Sequence, residues 1–249
     1  MSDEQPVRLH CFAHSGEYGS AFDHWEQNVG PGVTPIPVLL PGYGARRSEP
    51  RVTTHEALLA EVLPLFTGPD TGPFALYGHG LGALAAFFVT RSLHEAGLPG
   101  PAFLAVGACP PPDVPCELPD ARGTTDSELL ALLDSKGAVP PQSDEGVLRR
   151  AMLPMLRAEL ELAHDLQEAA CRPSTAGPLT TPLLVVSSQC NPLAPPEIAD
   201  GWGRWTTGPA RLRTVPGRHF FVRGRELPRL VGRACRVAGR LVQEPFPVG

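Results

Sequence analysis

One stretch, Phe74-Ala75-Leu76-Tyr77-Gly78-His79-Gly80-Leu81-Gly82-Ala83, constrains the fold more than any other. The apolar run from Pro73 to Tyr77 predicts a buried strand, and the apolar segment from Ala83 to His94 predicts a helix. Only the glycine-rich turn Gly78-His79-Gly80-Leu81-Gly82 separates them. A chain that passes from strand to helix so abruptly holds its central residue in a strained backbone conformation. Glycine enters such conformations without a Cβ penalty.

Two patterns fit these letters. The first is the nucleophile elbow of α/β-hydrolases, G-x-S-x-G, with Gly80 at the position of the serine. Glycine there keeps the turn, relaxes it, and removes the oxygen that would attack a substrate. The second is the dinucleotide-binding turn G-x-G-x-x-A, matched by Gly78, Gly80 and Ala83. That turn needs an acidic residue at the end of the next strand to bind a ribose. The next predicted strand, Phe103 to Val106, runs instead into Gly107-Ala108-Cys109. The elbow is therefore preferred, and no cofactor is expected.

Around the elbow, strand-like and helix-like segments alternate. Strands are predicted at Val7–Phe12, Thr34–Leu40, Ala102–Val106, Pro182–Ser187 and Arg211–Val215. Pro35 and Pro37 mark the second as an edge or irregular strand. Helices are predicted near Phe22 and Trp25, and at Thr54–Phe66, Ile198–Trp205 and Pro228–Val242. This alternation predicts an α/β protein with a mostly parallel central sheet and helices on both faces. After Pro110-Pro111-Pro112 the strand pattern stops, and two amphipathic helices follow, Asp126–Asp134 and Val147–Gln167. Residues 113–177 are read as a helical cap inserted into a core formed by 1–112 and 178–249; packing of these helices on the core's edge is the alternative. Ligands of such sheets lie at the carboxyl ends of the strands. That rule brings together the loops bearing His14 and Ser15, Gly80 and Leu81, Asn191, and His219.

Composition narrows the class. A net charge of −5 gives no reason to expect nucleic acid or an anionic membrane as partner. No apolar run is long enough to span a bilayer, and Met1–Pro6 is polar, so the expected compartment is the cytoplasm. The six cysteines lack metal-ligand spacing; no metal is expected, and the thiols are read as reduced.

These features together resemble the type II thioesterases of polyketide and nonribosomal peptide assembly lines, over nearly the whole chain. The family's Pro-His-Ala-Gly-Gly loop is matched by Ala13-His14-Ser15-Gly16-Glu17, and its Pro-Gly-Arg by Pro41-Gly42-Tyr43. Its elbow, Gly-His-Ser-Met-Gly-Ala, is matched by Gly78-His79-Gly80-Leu81-Gly82-Ala83. Leu-Pro-x-Leu-Arg-Ala-Asp is matched by Leu153-Pro154-Met155-Leu156-Arg157-Ala158-Glu159, and Gly-x-His-Phe-Phe by Gly217-Arg218-His219-Phe220-Phe221. The resemblance implies an α/β-hydrolase fold and a Ser-His-Asp triad that clears acyl groups from carrier-protein thioesters. Two triad positions differ here: Gly80 stands where serine is expected, and Asn191, in Ser188-Gln189-Cys190-Asn191-Pro192, stands where the acid is expected. An alternative place for the acid, near Gly107, also has no carboxylate. Asp113 and Asp200 read as surface residues.

The chemistry implied is a proton transfer by His219, oriented by Asn191, with an oxyanion held by the backbone N–H groups of Leu81 and Ser15. His14, His79, Cys109, Cys190 and Tyr43 are the further pocket candidates. His79 is equally well a packed neighbour of the elbow, and a cysteine nucleophile at Cys109 or Cys190 is disfavoured because neither is on the elbow. His10, His24, His55, His94 and His164 read as surface or satisfied residues. The first functional expectation is a thioesterase-like enzyme of polyketide or related natural-product biosynthesis. It would catalyse a non-hydrolytic cyclisation, isomerisation, dehydration or decarboxylation on a polyketide-like small molecule or acyl chain. The alternatives are a pseudoenzyme that binds an acyl carrier protein or an intermediate, and a residual or inactivated thioesterase.

Overall fold

The computed structural model describes residues 6–13, 19–68, 72–114, 121, 123–135 and 146–243. Six strands form one sheet: β1 (Val7–Phe12), β2 (Val33–Pro37), β3 (Phe74–His79), β4 (Leu104–Gly107), β5 (Leu183–Ser187) and β6 (Ala210–Thr214). Their spatial order is β2-β1-β3-β4-β5-β6, and every neighbouring pair is parallel. This is the α/β-hydrolase architecture expected from the sequence. Strand β2 ends at Pro37, before the predicted Leu40, and lies at the sheet edge, where a proline's missing N–H disrupts no second ladder.

The helices are α1 (His55–Val62), α2 (Leu81–Glu95), α3 (Asp126–Ser135), α4 (Gly146–Ala170), a single turn α5 (Pro196–Ala199), and α6 (Glu226–Gln243). The segment predicted as one helix at Ile198–Trp205 is α5 continued by a 3-10 helix over Asp200–Trp205, and the turn at Gly19–Phe22 is also 3-10. The sequence itself shows why these helices start where they do. Thr54 caps α1 by accepting from the N–H of Ala57 at 3.2 Å. Thr125 and Glu128 form a capping box at the start of α3: Thr125 N–H donates to Glu128 Oε2 at 3.0 Å, and Glu128 N–H to Thr125 Oγ1 at 3.3 Å.

Alternation along the strands divides the core in two. Leu76, Leu104, Val106, Leu183 and Val185 face a layer built by α1, α2 and α4. Ala75, Tyr77, Phe103, Ala105 and Val186 face the other layer, filled by Trp25, Val29, Leu227, Val231 and Cys235. Strand β3 is buried along its whole length, and most of α2 is buried with it. The elbow therefore rests on an enclosed strand and helix.

Helices α3 and α4 lie in sequence between β4 and β5. Leu153, Leu156, Leu160 and Leu166 of α4 are buried, and Asp165 accepts from the backbone N–H of His55 at 2.6 Å, which docks α4 on the start of α1. Arg157 ties the α3 segment to α4, donating to the carbonyls of Ala121 (2.5 Å) and Thr124 (2.8 Å) and to Asp126 Oδ1. Among the described residues no helix is long and apolar enough to cross a membrane.

Candidate active site

The chain runs from β1 outward to β2, then back across to β3. The sheet's topological switch point therefore lies between the carboxyl ends of β1 and β3, where open α/β sheets bind ligands. The elbow sits at that point. A Cβ on Gly82 would lie 2.3 Å from the carbonyl oxygen of Phe12 and 2.6 Å from that of Ala13. One on Gly78 would lie 2.1 Å from the carbonyl oxygen of Gly82. These two glycines are thus required by close backbone approach, which presses the turn onto the end of β1.

Gly80 has a different reason to be glycine. Its backbone, at φ 55° and ψ −123°, is in a region that L side chains enter only under strain. Its N–H donates to the carbonyl of Gly107 at 2.8 Å, and its own carbonyl accepts from Ala83 at 2.9 Å. Gly80 is the N-cap of α2, and Leu81 is the first helical residue. The N–H of Leu81 is one of the four that an α-helix leaves without an intrahelical acceptor, and the positive end of the helix dipole lies there too. It can therefore hold a developing oxyanion.

His219 follows β6 and is buried. Its Nδ1 lies 3.4 Å from Oδ1 of Asn191. The surroundings assign the orientation of the Asn191 amide. The N–H of Leu193 donates to Oδ1 at 3.2 Å, while Nδ2 donates to the carbonyl of Ala194 at 3.5 Å. Because Oδ1 can only accept, His219 carries its proton on Nδ1, and the lone pair lies on Nε2. Burial pushes the His219 pKa down to about 4, so the ring is neutral at physiological pH. A neutral imidazole with a defined lone pair is a Brønsted base.

A second buried histidine fixes the first. The carbonyl of His219 lies 2.8 Å from Nε2 of His79, and a carbonyl only accepts, so His79 is protonated at Nε2. Its Nδ1 then accepts from the hydroxyl of Tyr77 at 2.7 Å. Ser188 ties the neighbouring loops together: its hydroxyl donates to the carbonyl of Gly217, two residues before His219.

The structure thus joins His79, Asn191 and His219 by direct contacts and places Gly80 and Leu81 immediately after His79. His79 is fully enclosed with both ring nitrogens engaged, so it braces the His219 loop. Cys109 is buried in the core on the α2 side, where its carbonyl accepts from the Trp202 indole at 2.9 Å. Cys190 is exposed on its loop. Neither thiol is on the elbow. Tyr43 is buried against α4, its hydroxyl 3.1 Å from Glu159 Oε1. His14 and Ser15 lie outside the described residues. Asp113 is at the surface as expected, bonded to Arg204 and to the Trp205 indole. His10 is a correction: it is buried against Phe66 and Phe74, and its Nδ1 has no hydrogen-bond partner among the described residues.

Sequence reasoning missed Tyr77 and Ser188. The available signal was Tyr77 itself, a hydroxyl in an otherwise apolar strand, since a buried hydroxyl requires a partner. No cluster of three or more His, Cys, Asp or Glu among the described residues could hold a metal ion.

Fold and elbow define an α/β-hydrolase. The chain belongs to the thioesterase family: the family model described as "Thioesterase domain" matches residues 7–235. It is 32% identical over 223 residues to Thioesterase PikA5 of Streptomyces venezuelae, covering 87% of this chain and 75% of that protein. It is 30% identical over 236 residues to a "Probable cadicidin biosynthesis thioesterase" of Streptomyces griseus, covering 89% of this chain and 60% of that protein. Among solved structures it is similar to the RedJ thioesterase from the prodiginine biosynthetic pathway of Streptomyces coelicolor. That match has a TM-score of 0.79 and 31% identity, and covers 92% of this chain and 90% of the other.

Proposed function

We propose that this protein acts in polyketide or related natural-product biosynthesis, and that it uses the thioesterase site for acid–base chemistry in place of serine hydrolysis. One observation carries the reading. His219 holds a lone pair on Nε2, fixed by Asn191, while the central residue of the elbow, Gly80, has no side chain to act as nucleophile. The relatives' names support the pathway class, and the net charge of −5 gives no reason to expect nucleic acid or an anionic membrane as partner.

In this mechanism the substrate is a polyketide-derived acyl chain, either thioester-linked to an acyl carrier protein or released from it. His219 Nε2 removes a proton from the carbon next to the carbonyl. The electron pair moves onto the carbonyl oxygen, which accepts a hydrogen bond from the backbone N–H of Leu81. The imidazolium then returns the proton to a new position, giving isomerisation, or to a departing hydroxyl, giving dehydration. Asn191 orients the ring but brings no negative charge, so it stabilises the imidazolium less than a carboxylate does. Helices α3 and α4, inserted between β4 and β5, are assigned the role of a lid.

The experiment uses a 3-hydroxyacyl thioester of N-acetylcysteamine in D2O, followed by NMR. Deuterium incorporation next to the carbonyl, or loss of water, is expected with the protein and not with His219→Ala. Equal rates in both remove the base assignment. A second reading, a binder of carrier protein or intermediate without turnover, is favoured by the same burial of His219, which penalises its imidazolium form. Absence of exchange together with saturable binding of an acylated carrier protein would select it.

A further inference from the structure

We propose that a cleft on the α2 side of the sheet binds a small carboxylic acid with an apolar body, separately from the site around Gly80. The cleft has a volume of about 450 Å3, within the range of small-molecule sites. Phe87 and Trp205 line it edge to face, their ring centroids 5.2 Å apart, and Leu179 continues the apolar surface. Three guanidinium groups surround this surface: Arg91, Arg172 and Arg204.

Among the described residues the charges do not cancel. Arg91 Nε is bonded to Glu95 at 2.8 Å, and its terminal nitrogen donates to the backbone carbonyl of Arg172 at 2.8 Å. Arg204 is paired with Asp113, whose other oxygen accepts from the Trp205 indole at 3.2 Å. Arg172 is exposed, and no ion pair among the described residues involves it. One uncompensated guanidinium beside an aromatic surface selects one negative charge on a hydrophobic body. The planar fork of arginine matches the two oxygens of a carboxylate.

The cleft is distinct from the candidate active site. Gly80, Leu81, Asn191 and His219 do not line it. Phe87 and Arg91 lie roughly 10 and 16 Å along α2 from Gly80, from the helical rise per residue.

Cys171 reports on occupancy, because it is exposed and lines the cleft, whereas the exposed Cys190 belongs to the Asn191 loop. The full chain is alkylated with iodoacetamide in the presence of decanoate or decanol, and peptide mass mapping reads each cysteine. Decanoate at about ten times its Kd is expected to slow Cys171 alkylation about tenfold and leave Cys190 unchanged. Decanol and the Arg172→Ala variant are expected to show little protection, and Arg172→Lys an intermediate amount. Equal protection by decanol, unaltered protection in Arg172→Ala, protection of Cys190 in its place, or no protection at all would each overturn the proposal. None of these readouts depends on the activity assigned to His219.

Discussion

The hydroxyl of Tyr43 donates a 3.1 Å hydrogen bond to Oε1 of Glu159, joining the loop after β2 to α4 across 116 positions of sequence. Both residues are buried. The phenol brings this buried carboxyl group a donor without a charge. Tyr43→Phe removes that donor and is expected to lower stability by about 1–3 kcal/mol. Adding Glu159→Leu should recover part of the loss, because the buried acceptor is then gone too. Urea unfolding of the two single variants and the double variant measures the coupling; strict additivity would contradict it.

Acid should weaken the folded state through two histidines. Burial lowers the pKa of His219 and of His10 to about 4, with the charge of Arg8 a lesser cause at His10. In the unfolded chain both titrate near 6.5. Between these values the unfolded state holds more protons, so stability is complete above pH 6.5 and falls as the pH drops towards 4. The contribution is about 3 kcal/mol per histidine if the whole shift is realised. Denaturant unfolding at pH 7.5 and pH 5 should show the loss, and His10→Phe should reduce the difference.

The same shift predicts the pH dependence of turnover. His219 must be neutral to accept a proton, so kcat/KM should stay level through neutrality and decline only as the pH approaches about 4. A decline centred near 6.5 would mean that the ring is not held in the desolvated setting seen here.

The glycines of the turn should respond to substitution in different ways. Gly82→Ala drives a methyl group into the backbone oxygens of Phe12 and Ala13, and Gly78→Ala drives one into the Gly82 carbonyl. Neither variant is expected to fold. Gly80→Ser meets a backbone strain of about 1–3 kcal/mol and should fold with reduced stability. Thermal unfolding of the three variants separates collision from strain.

Tyr77 and His79 should tune His219 without touching substrate. His79→Leu removes the donor to the His219 carbonyl, whereas His79→Gln keeps a nitrogen donor within reach. Leucine is expected to lower kcat and alter the pH profile, and glutamine to restore part of both. Tyr77→Phe should have the smaller effect, because the tautomer of His79 remains set by the carbonyl.

Much of this was legible in the sequence where a local pattern carries the information. The short apolar runs of β3, β4 and β5, buried almost throughout, and the glycines of the elbow gave the parallel sheet and the turn at its centre. The Asn191 and His219 loops were placed together because both follow adjacent strands, β5 and β6. What was not legible depends on contacts between distant segments. The brace from Tyr77 through His79 to the His219 backbone crosses 140 positions at its second link and leaves no spacing signature. Cys109 and Cys190 have equivalent positions after strands, yet one turns into the core and the other into solvent. Tyr43 pointed to a pocket only through its motif; its place against Glu159 is decided by the packing of α4.

The most direct measurement is intact-mass analysis of the protein after incubation with an acyl thioester and, separately, a fluorophosphonate probe. The unaltered chain is predicted to gain no mass from either and to hydrolyse the thioester no faster than His219→Ala, whereas Gly80→Ser should be modified at residue 80. An acyl or phosphonyl adduct on the unaltered chain, with hydrolysis that disappears in His219→Ala, would contradict the account.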